Sequence, residues 1–524
     1  KPLPFGSQLE ADTKLWSPEV YIQDTWRMTP SFTFTFGINY GWQQSPRERL
    51  GRQSFQIESV TGEFLTAPTF LERRRNAAAS GQIYNPNFAF LPVNSSTRAT
   101  VFNVDWNNIA PRFAAAWNPS FAGGLLGKLF GERKTVIRGG YALIYDRQNT
   151  VQSVIVPTLG IAYAQTLNIT APLCNAAGTP GVNCNPNPGS TGDQAVSSFR
   201  VGRDGRIPVP TVPGRSIPVQ PFWGIDRSRP GCAAPGANGL FAATCLVQFP
   251  EVFSFQVDPD IQVGKNHALD LTWQRELPGN MLMEVGYVGR FARLLPQSMN
   301  LGQVPYTQVD PVSGQSFAQA FDAVALHLRP GGSAATVPVQ PWFENSIPVG
   351  ACVISGAPVS CTRFIATAQG ANFSNSNVNS IFLAIDQFRL RAQLTPFNNL
   401  MSQMFFLRSS TGVSNYNALF ATLHKRLSRG LMVTANYTYA RSLDMGSANQ
   451  NAASVMANNF DLRSDYGRSD FDFNHVFNAS WLSELPFGRG RWIGTDNGIL
   501  DRIIGGWAIS GIFTGSSGQP LTVT

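Results

Sequence analysis

The chain has 524 residues and a formal net charge of +8, with 14% charged and 11% aromatic residues. Soluble domains carry about 25% charged residues, so this chain is poor in charge. No stretch offers the roughly 18 consecutive apolar residues of a membrane-spanning helix, and no nucleic-acid motif is present. The composition therefore favours a membrane β-barrel or a large soluble β-protein such as a propeller, and it argues against a nucleic-acid partner.

The first strong strand signal lies in a hairpin over residues 15–44, which turns at Thr29-Pro30-Ser31. Apolar side chains recur at every second position of its second strand: Phe32, Phe34, Phe36, Ile38, Tyr40 and Trp42. Strict alternation indicates a β-strand, and this one is as long as the roughly 9–11 residues of a spanning strand. The apolar face ends in Tyr40 and Trp42, which predicts that both belong to an aromatic girdle at a membrane surface.

Four further hairpins follow in chain order. Three of them are indicated by alternating apolar residues: Phe113, Ala115, Trp117, Ile137, Tyr141, Leu143 and Tyr145; Leu269, Leu271, Trp273, Met281, Met283, Val285 and Tyr287; Phe477, Ala479, Trp481, Trp507, Ile509, Gly511 and Phe513. The remaining hairpin, over 415–441, turns at Ser428-Arg429-Gly430. Its apolar face ends in Tyr437 and Tyr439, two more predicted girdle residues.

The connections between strands differ greatly in length. Hairpins close through shorter connections, whereas long Gly-, Pro- and Asn-rich insertions separate them, at about 45–103, 148–262, 292–413 and 442–470. Short periplasmic turns and long extracellular loops are typical of outer-membrane barrels, while a propeller spaces its strands evenly. We therefore predict an all-β fold over 1–524: part of an antiparallel transmembrane β-barrel, with about 10 to 14 strands and irregular extracellular loops.

The six cysteines fall into three local pairs: Cys174 with Cys184, Cys232 with Cys245, and Cys352 with Cys361. All lie in the insertions, and none is left over, which favours disulfides formed in an oxidising compartment. Metal ligation is a weaker alternative, because the CxxC spacing is missing and the histidines lie far from the cysteine pairs. Free thiols remain the other alternative, and the connectivity stays open.

The sequence shows no catalytic motif. GxSxG, HExxH, a P-loop and a nucleotide-binding GxGxxG unit are all missing, so we predict neither enzyme activity nor a cofactor. An acidic stretch has the oxygen ligands that Ca²⁺ prefers, but interleaved arginines favour salt bridges at the barrel rim: Asp461, Arg463, Asp465, Arg468, Asp470 and Asp472. No metal is predicted.

Four basic side chains fall on the polar faces of predicted strands: Arg112, Arg138, His424 and Arg426. On a barrel strand the polar face lines the lumen, so we expect these four to face the lumen. They would then contact a plug or an anionic substrate, or simply belong to the wide polar lumen, and the second reading is favoured.

Several phrases resemble the barrel of Oar-like TonB-dependent outer-membrane receptors of acidobacterial type: YIQDTWRMTPSFTFTFGINYGW, KTVIRGGYALIYDR, QRELPGNMLMEVGYVG, SNYNALFATLHKRLSRGLMVTANYTYARSLD and GGWAISGIFTGSSGQPLTV. The resemblance implies the outer membrane of a Gram-negative bacterium and a barrel of about 22 strands. It also implies a plug, a TonB-box and a carboxypeptidase-regulatory-like domain. None of these three is visible here, so we expect the chain to be a central section of a barrel.

The resemblance further implies a receptor whose extracellular loops capture a large ligand, with TonB supplying the energy for uptake. Two alternatives stay open. A surface structural or adhesion protein would use the large loops without transport. A passive pore would close its barrel within these 524 residues.

Overall fold

The computed structural model describes residues 12–49, 54–58, 60–86, 88–92, 100–147, 217–218, 223–248, 253–398, 404–447, 458–494 and 497–521. The strands of these residues are β1 (Thr13–Lys14), β2 (Glu19–Thr29), β3 (Phe32–Gly41), β4 (Arg47–Glu48), β5 (Ser54–Glu58), β6 (Phe88–Pro92), β7 (Ile109–Trp117), β8 (Thr135–Tyr145), β9 (Ile217–Pro218), β10 (Trp223–Ile225), β11 (Leu246–Gln248), β12 (Phe253–Val257), β13 (Lys265–Leu277), β14 (Met281–Asn300), β15 (Val353–Ile354), β16 (Ala357–Pro358), β17 (Met404–Ser428), β18 (Leu431–Asp444), β19 (Gly467–Arg468), β20 (His475–Glu484) and β21 (Ala508–Ser516).

Their α-helices are α1 (Ala67–Ala79), α2 (Gly124–Phe130), α3 (Phe317–Leu328), α4 (Pro341–Ser346), α5 (Cys361–Ser374), α6 (Val378–Arg391) and α7 (Gly498–Ile504). In the described part of the chain, no helix combines the length and the apolar character needed to span a membrane.

Ten strands form one continuous antiparallel path, in the order β2-β3-β7-β8-β13-β14-β17-β18-β20-β21. Each strand pairs with the next along this path, so all five predicted hairpins are present. Two short strands join the same sheet outside the path: β12 runs parallel to the start of β17, and β19 pairs with the end of β18. The antiparallel sheet predicted from the alternation is therefore the main element of the fold.

Two of the three shortest hairpins turn through a left-handed backbone. Between β17 and β18 the turn consists of Arg429 and Gly430, with φ of 52° and 74°, and between β13 and β14 it includes Gly279 and Asn280, with φ of 82° and 59°. Two consecutive positive φ values are what a type I′ turn requires, and its twist matches that of the flanking strands. These turns lie at one end of the strands, which we call the turn end. The opposite end, where the long insertions begin, is the insertion end.

Strand pairing is staggered along the sheet. Phe34 lies two residues after the start of β3, and its row of paired residues ends at Tyr439, eight residues after the start of β18. Between them the row passes through Ala115, Gly139, Leu271, Tyr287 and Leu419. Relative to the strand start at the turn end, the row of paired residues is therefore displaced by six residues over six strand steps. Tilted barrel strands need such a stagger.

The four insertions fold together at the insertion end. We call their described residues within 54–106, 223–262, 301–398 and 458–472 the cap. Its largest core is aromatic and aliphatic and lies among α3, α4, α5 and α6: Val304, Phe317, Phe321, Val324, Trp342, Phe343, Ile365, Phe373, Ile381, Phe382 and Ile385. A second core packs α1 against the ends of β14 and β17: Leu65, Phe70, Leu71, Phe88, Met299, Leu301, Phe405 and Leu407. The cap is therefore anchored on the sheet by these two longest strands.

The prediction of irregular loops is wrong for these residues. The third insertion runs between Asn300 and Met404, because β14 and β17 extend beyond the predicted limits of 292 and 413. It contains four helices with local start signals. At the start of α3, Ser316 Oγ accepts from the Gln319 amide and Gln319 Oε1 accepts from the Ser316 amide, which is a capping box.

Two disulfides lie in the cap. Cys232 is bonded to Cys245 and Cys352 to Cys361, with Cα–Cα distances of 5.5 and 5.0 Å, and all four residues are buried. The predicted partners Cys174 and Cys184 lie outside the described residues. The bond between Cys352 and Cys361 ties the start of α5 to the turn that follows α4.

Replacing Cys352 and Cys361 together with serine is expected to lower the free energy of cap unfolding by about 3 kcal/mol. A cross-link over nine residues removes about this much chain entropy from the unfolded state. Amide hydrogen exchange in peptides of α5, with the full chain in detergent, measures the change. A control pair of serine substitutions at exposed loop positions of the cap, Val312→Ser and Val339→Ser, should leave exchange unchanged; equal exchange in both pairs would contradict a stabilising bond.

Candidate functional site

The sheet has one apolar and one mostly polar face. Residues paired across neighbouring strands have their side chains on the same face of the sheet, so the strand pairing assigns each side chain to one of the two faces. The apolar face includes Phe34, Phe36, Ile38, Phe113, Trp117, Ile137, Tyr141, Leu269, Leu271, Trp273, Val285, Leu419, Tyr437, Trp481 and Phe513. Charged exceptions on that face include Asp24, opposite Phe36, and Arg275 and Lys425 near the turn end. Near the insertion end they include Lys265, Arg293 and Arg441. Such a two-faced sheet suits a wall between lipid and water.

Of the four basic residues predicted for the lumen, Arg112, Arg138 and His424 lie on the polar face, in two separate places, and Arg426 lies next to His424 in the register shift between Lys425 and Ser428. Arg112 and Arg138 are on the neighbouring strands β7 and β8, whereas His424 and Arg426 are on β17, three strands further along. Arg112 pairs with Gly37, and its Nη1 donates to Gln23 Oε1 at 3.4 Å. His424 Nδ1 lies 3.2 Å from Thr434 Oγ1. The sheet therefore spreads these charges instead of forming one basic cluster.

Aromatic side chains collect near the insertion end of the apolar face. The Tyr40 ring lies 5.8 Å from that of Trp42, which follows β3 and lies 5.6 Å from the Trp106 ring. Tyr437 and Tyr439 flank His475, whose Nδ1 is 2.7 Å from Tyr437 Oη. The place of the four predicted aromatics on this face suits a girdle, and that role stays a prediction.

A cavity of about 330 Å³ opens on the polar face among β2, β3, β7 and β8. Its polar wall includes Glu19, Asn39, Asn108 and Arg112, and its apolar wall includes Ile144. Within the described residues, Asn39 Oδ1 and Asn108 Oδ1 are buried acceptors without a hydrogen-bond partner. A few convergent polar groups beside apolar surface are what a small-molecule site offers. Of these residues the sequence predicted only Arg112, because the amides carry no recognisable motif.

Arg74 connects the first insertion to the third. Its side chain lies on the buried face of α1, with a fractional exposure of 2%. It donates to Leu301 O at 2.8 Å, to Asn398 Oδ1 at 3.0 Å and to Asn85 Oδ1 at 3.0 Å, and it also donates twice to Tyr84 O. Each N–H group that burial removes from water thus finds an acceptor, as a buried charge requires.

Asp386, on α6, is the acid of the same network. Its carboxylate accepts the backbone N–H of Phe397 at 2.7 Å and that of Asn398 at 2.9 Å. Burial raises the pKa of Asp386 from its ordinary 3.8 to about 7, although these two N–H groups and the charges of Arg389 and Arg74 oppose the rise. The carboxyl therefore holds the segment after α6 in place and titrates near neutral pH.

The second and fourth insertions are also hydrogen-bonded to the rest of the cap. Asp258 Oδ2 accepts from the Ala67 amide at the start of α1, at 3.0 Å. Phe241 and Arg391 exchange two bonds, since the Phe241 amide donates to Arg391 O and Arg391 Nε donates to Phe241 O. The Asn459 amide donates to Gln303 Oε1 in the third insertion. All four insertions are thus tied into one cap.

The acidic stretch near the end of the fourth insertion contains an ion pair. Arg468 Nε donates to Asp472 Oδ2 at 2.8 Å, and Asp472 Oδ1 accepts from the Ser442 amide. Asp461 caps the short 3₁₀ helix Leu462–Asp465. Across the described ranges, no group of three or more His, Cys, Asp and Glu side chains converges to hold a metal ion. The observed pairing agrees with the salt bridges predicted for this stretch.

An antiparallel sheet with one apolar face, a staggered register and a cap at one end of its strands is typical of the wall of a membrane β-barrel. The family model described as "outer membrane beta barrel domain" matches residues 6–524. The chain belongs to this family, and its place is the outer membrane of a Gram-negative bacterium. Among curated proteins, no sequence matches the chain.

Solved structures similar to the chain include three outer-membrane proteins. The transporter YddB from Escherichia coli is 8% identical, with a TM-score of 0.30, over 90% of this chain and 40% of that one. The alcaligin receptor FauA from Bordetella pertussis is 8% identical, with a TM-score of 0.30, over 97% and 38%. The pyoverdine receptor FpvA from Pseudomonas aeruginosa is 6% identical, with a TM-score of 0.29, over 92% and 30%. The chain spans two fifths or less of the length of these proteins.

Proposed function

We propose that the chain is the barrel portion of an Oar-like TonB-dependent receptor that captures a large ligand and takes it up with energy from TonB. In this proposal the cap is extracellular, the turn end is periplasmic, and the barrel has about 22 strands. Arg112, Arg138, His424 and Arg426 face the lumen, where a plug or a ligand would pass. The protein acts by binding and transport and not as an enzyme.

The observation that carries this proposal is the joined cap. A passive pore does not require its extracellular loops to be joined, whereas here four insertions are cross-linked by buried polar bonds and lie at one end of a membrane wall. Ordering so many residues costs conformational entropy, which suggests a surface shaped to bind something. The phrases shared with Oar-like receptors support ligand uptake over a purely structural role.

Growth of matched deletion strains tests the proposal. One strain of the source bacterium lacks the gene for this protein and another lacks TonB, and both are grown on panels of single iron, carbohydrate and peptide sources. We expect both to lose growth on the same source, with surface adhesion unchanged in the first. Loss of adhesion without any nutrient defect would instead favour the surface structural protein. A defect that does not depend on TonB would favour the passive pore.

A further inference from the structure

Two hairpin connections at the turn end share a sequence pattern. The connection from β7 to β8 contains GLLGKLF, which forms α2, and the connection from β20 to β21 contains GILDRII, which forms α7. Both segments read glycine, two aliphatic residues, a variable residue, a basic residue and two apolar residues. Neighbouring hairpins at this end close with two or three residues, so these longer connections serve more than chain reversal.

Each short helix exposes an apolar stripe. The second, third and sixth residues of each helix share a side, because the sixth follows the other two by four and three positions: Leu125, Leu126 and Leu129 in α2, and Ile499, Leu500 and Ile503 in α7. Their fractional exposures lie between 43% and 76%. Lys128 and Arg502 are the fifth residues of the respective helices and are also exposed. Exposed aliphatic residues grouped in this way mark a contact surface.

Helix α2 lies against the apolar side of the sheet. The ring of Phe130, at its end, is 5.7 Å from that of Trp117, a residue of the apolar face. Arg275, which projects from the same face of β13, donates to the carbonyl oxygens of Lys128 and Leu129. Both contacts place the end of α2 on the outer side of the wall and not on the polar side.

Helix α7 is held in the same way. Trp507 continues the alternation of Ile509 and Gly511 on the apolar face, and its indole Nε1 donates to Ile503 O at 2.7 Å. Asp501 Oδ1 accepts the Arg489 amide, which fixes the helix to its own loop. The indole contact joins the exposed stripe of α7 to the apolar face of β21.

We propose that α2 and α7 are interfacial anchors that lie in the bilayer leaflet at the turn end, with their apolar stripes among the acyl chains. Lys128 and Arg502 then extend to lipid phosphates, as long basic side chains do at membrane surfaces. A lipid surface is the favoured occupant because both stripes continue the apolar face of the sheet. The two patches also lie six strand steps apart along the sheet, about 29 Å at ~4.8 Å per step, and an extended lipid surface contacts both at once. The proposal rests on membrane residence and not on transport.

Depth-dependent fluorescence quenching tests the proposal on the full-length protein in vesicles of phosphatidylethanolamine and phosphatidylglycerol. Leu125→Cys and Ile499→Cys are each labelled with nitrobenzoxadiazole, after the parent protein has been shown to take up no label. Leu326→Cys is the matched control, since it is an exposed leucine on a cap helix. Leu271→Cys marks the middle of the apolar face.

We expect lipids with a nitroxide near the headgroup to quench labels 125 and 499 more strongly than label 326. Iodide in water should quench them at least about threefold less than label 326, as for groups about 5–10 Å below the headgroups. Equal iodide quenching at all three positions would overturn the proposal. Protection from iodide without nitroxide quenching would also overturn it, because a protein surface would then cover the stripes. Label 271 should respond to deep nitroxides and shows that the barrel is inserted.

Discussion

Replacing Arg74 with methionine is expected to destabilise the cap by about 3–5 kcal/mol. Methionine keeps much of the apolar stem over the Phe70 ring, which now lies 4.7 Å from the guanidinium carbon, but it leaves Leu301 O and Tyr84 O without their donor. Buried acceptors that lose a partner cost about 1–3 kcal/mol each, and breaking a buried charged contact costs about 3–5 kcal/mol. The first and third insertions should therefore separate at lower denaturant.

The arginines on either side of Arg74 are natural controls. Arg75 is exposed, so Arg75→Met should change cap stability little. Arg73 makes a two-bond ion pair with Glu63 at 2.8 Å, but both groups are exposed and such pairs contribute about 0–1 kcal/mol. Amide hydrogen exchange of peptides around Tyr84 and Leu301, in the full chain in detergent, compares Arg74→Met with the two controls Arg73→Met and Arg75→Met. If Arg74→Met behaves like Arg75→Met, the insertions are not coupled through this side chain.

The sheet was largely predictable from the sequence, and the cap was not. Alternation depends only on the local sequence, and in β3 or β18 the alternating apolar residues lie on the same face of the sheet. In α1 the apolar stripe Ala67, Phe70, Leu71 and Ala78 is interrupted by Arg74 at a buried position. The charge of Arg74 hid the helical spacing, although Thr66 with Pro68 and Ser316 with Gln319 were readable helix starts.

The polar contacts of the site depend on distant parts of the chain. Arg74 and Leu301 are 227 positions apart, and nothing in the triplet Arg73, Arg74 and Arg75 reveals which arginine is buried. The cavity residues show the same limit, since Asn39 and Asn108 come together only once β3 and β7 are in register. The face on which each strand side chain lies could be predicted from alternation. The contacts between different insertions could be identified only in the folded chain.

Cap stability is expected to fall as the pH rises from about 5 to about 7.5, and Asp386 is the principal cause. The unfolded carboxyl has its ordinary pKa of 3.8, while burial raises the pKa in the folded cap to about 7. Between these values the folded state binds more protons than the unfolded state, so raising the pH favours unfolding. At about 1.36 kcal/mol per pKa unit, the whole window corresponds to roughly 4 kcal/mol, of which the part above pH 5 is measurable without acid denaturation.

Asp386→Asn isolates this contribution. Asp258, whose pKa is also raised by burial, contributes in the same direction, whereas Glu58 and Asp310 have lowered pKa values and act only at more acidic pH. An amide at position 386 does not titrate, so the variant should lose most of the slope of unfolding free energy against pH, even though it also loses a good acceptor for the Phe397 or Asn398 amide. Exchange of those two amides, measured at pH 5.5, 6.5 and 7.5 after correction for intrinsic rates, gives the slope directly. An unchanged slope in Asp386→Asn would mean that the carboxyl is ionised throughout, held so by Arg74, Arg389 and its two N–H donors. The cap would then be stabilised by an ionised Asp386 near the charges of Arg74 and Arg389, and not by a neutral carboxylic acid.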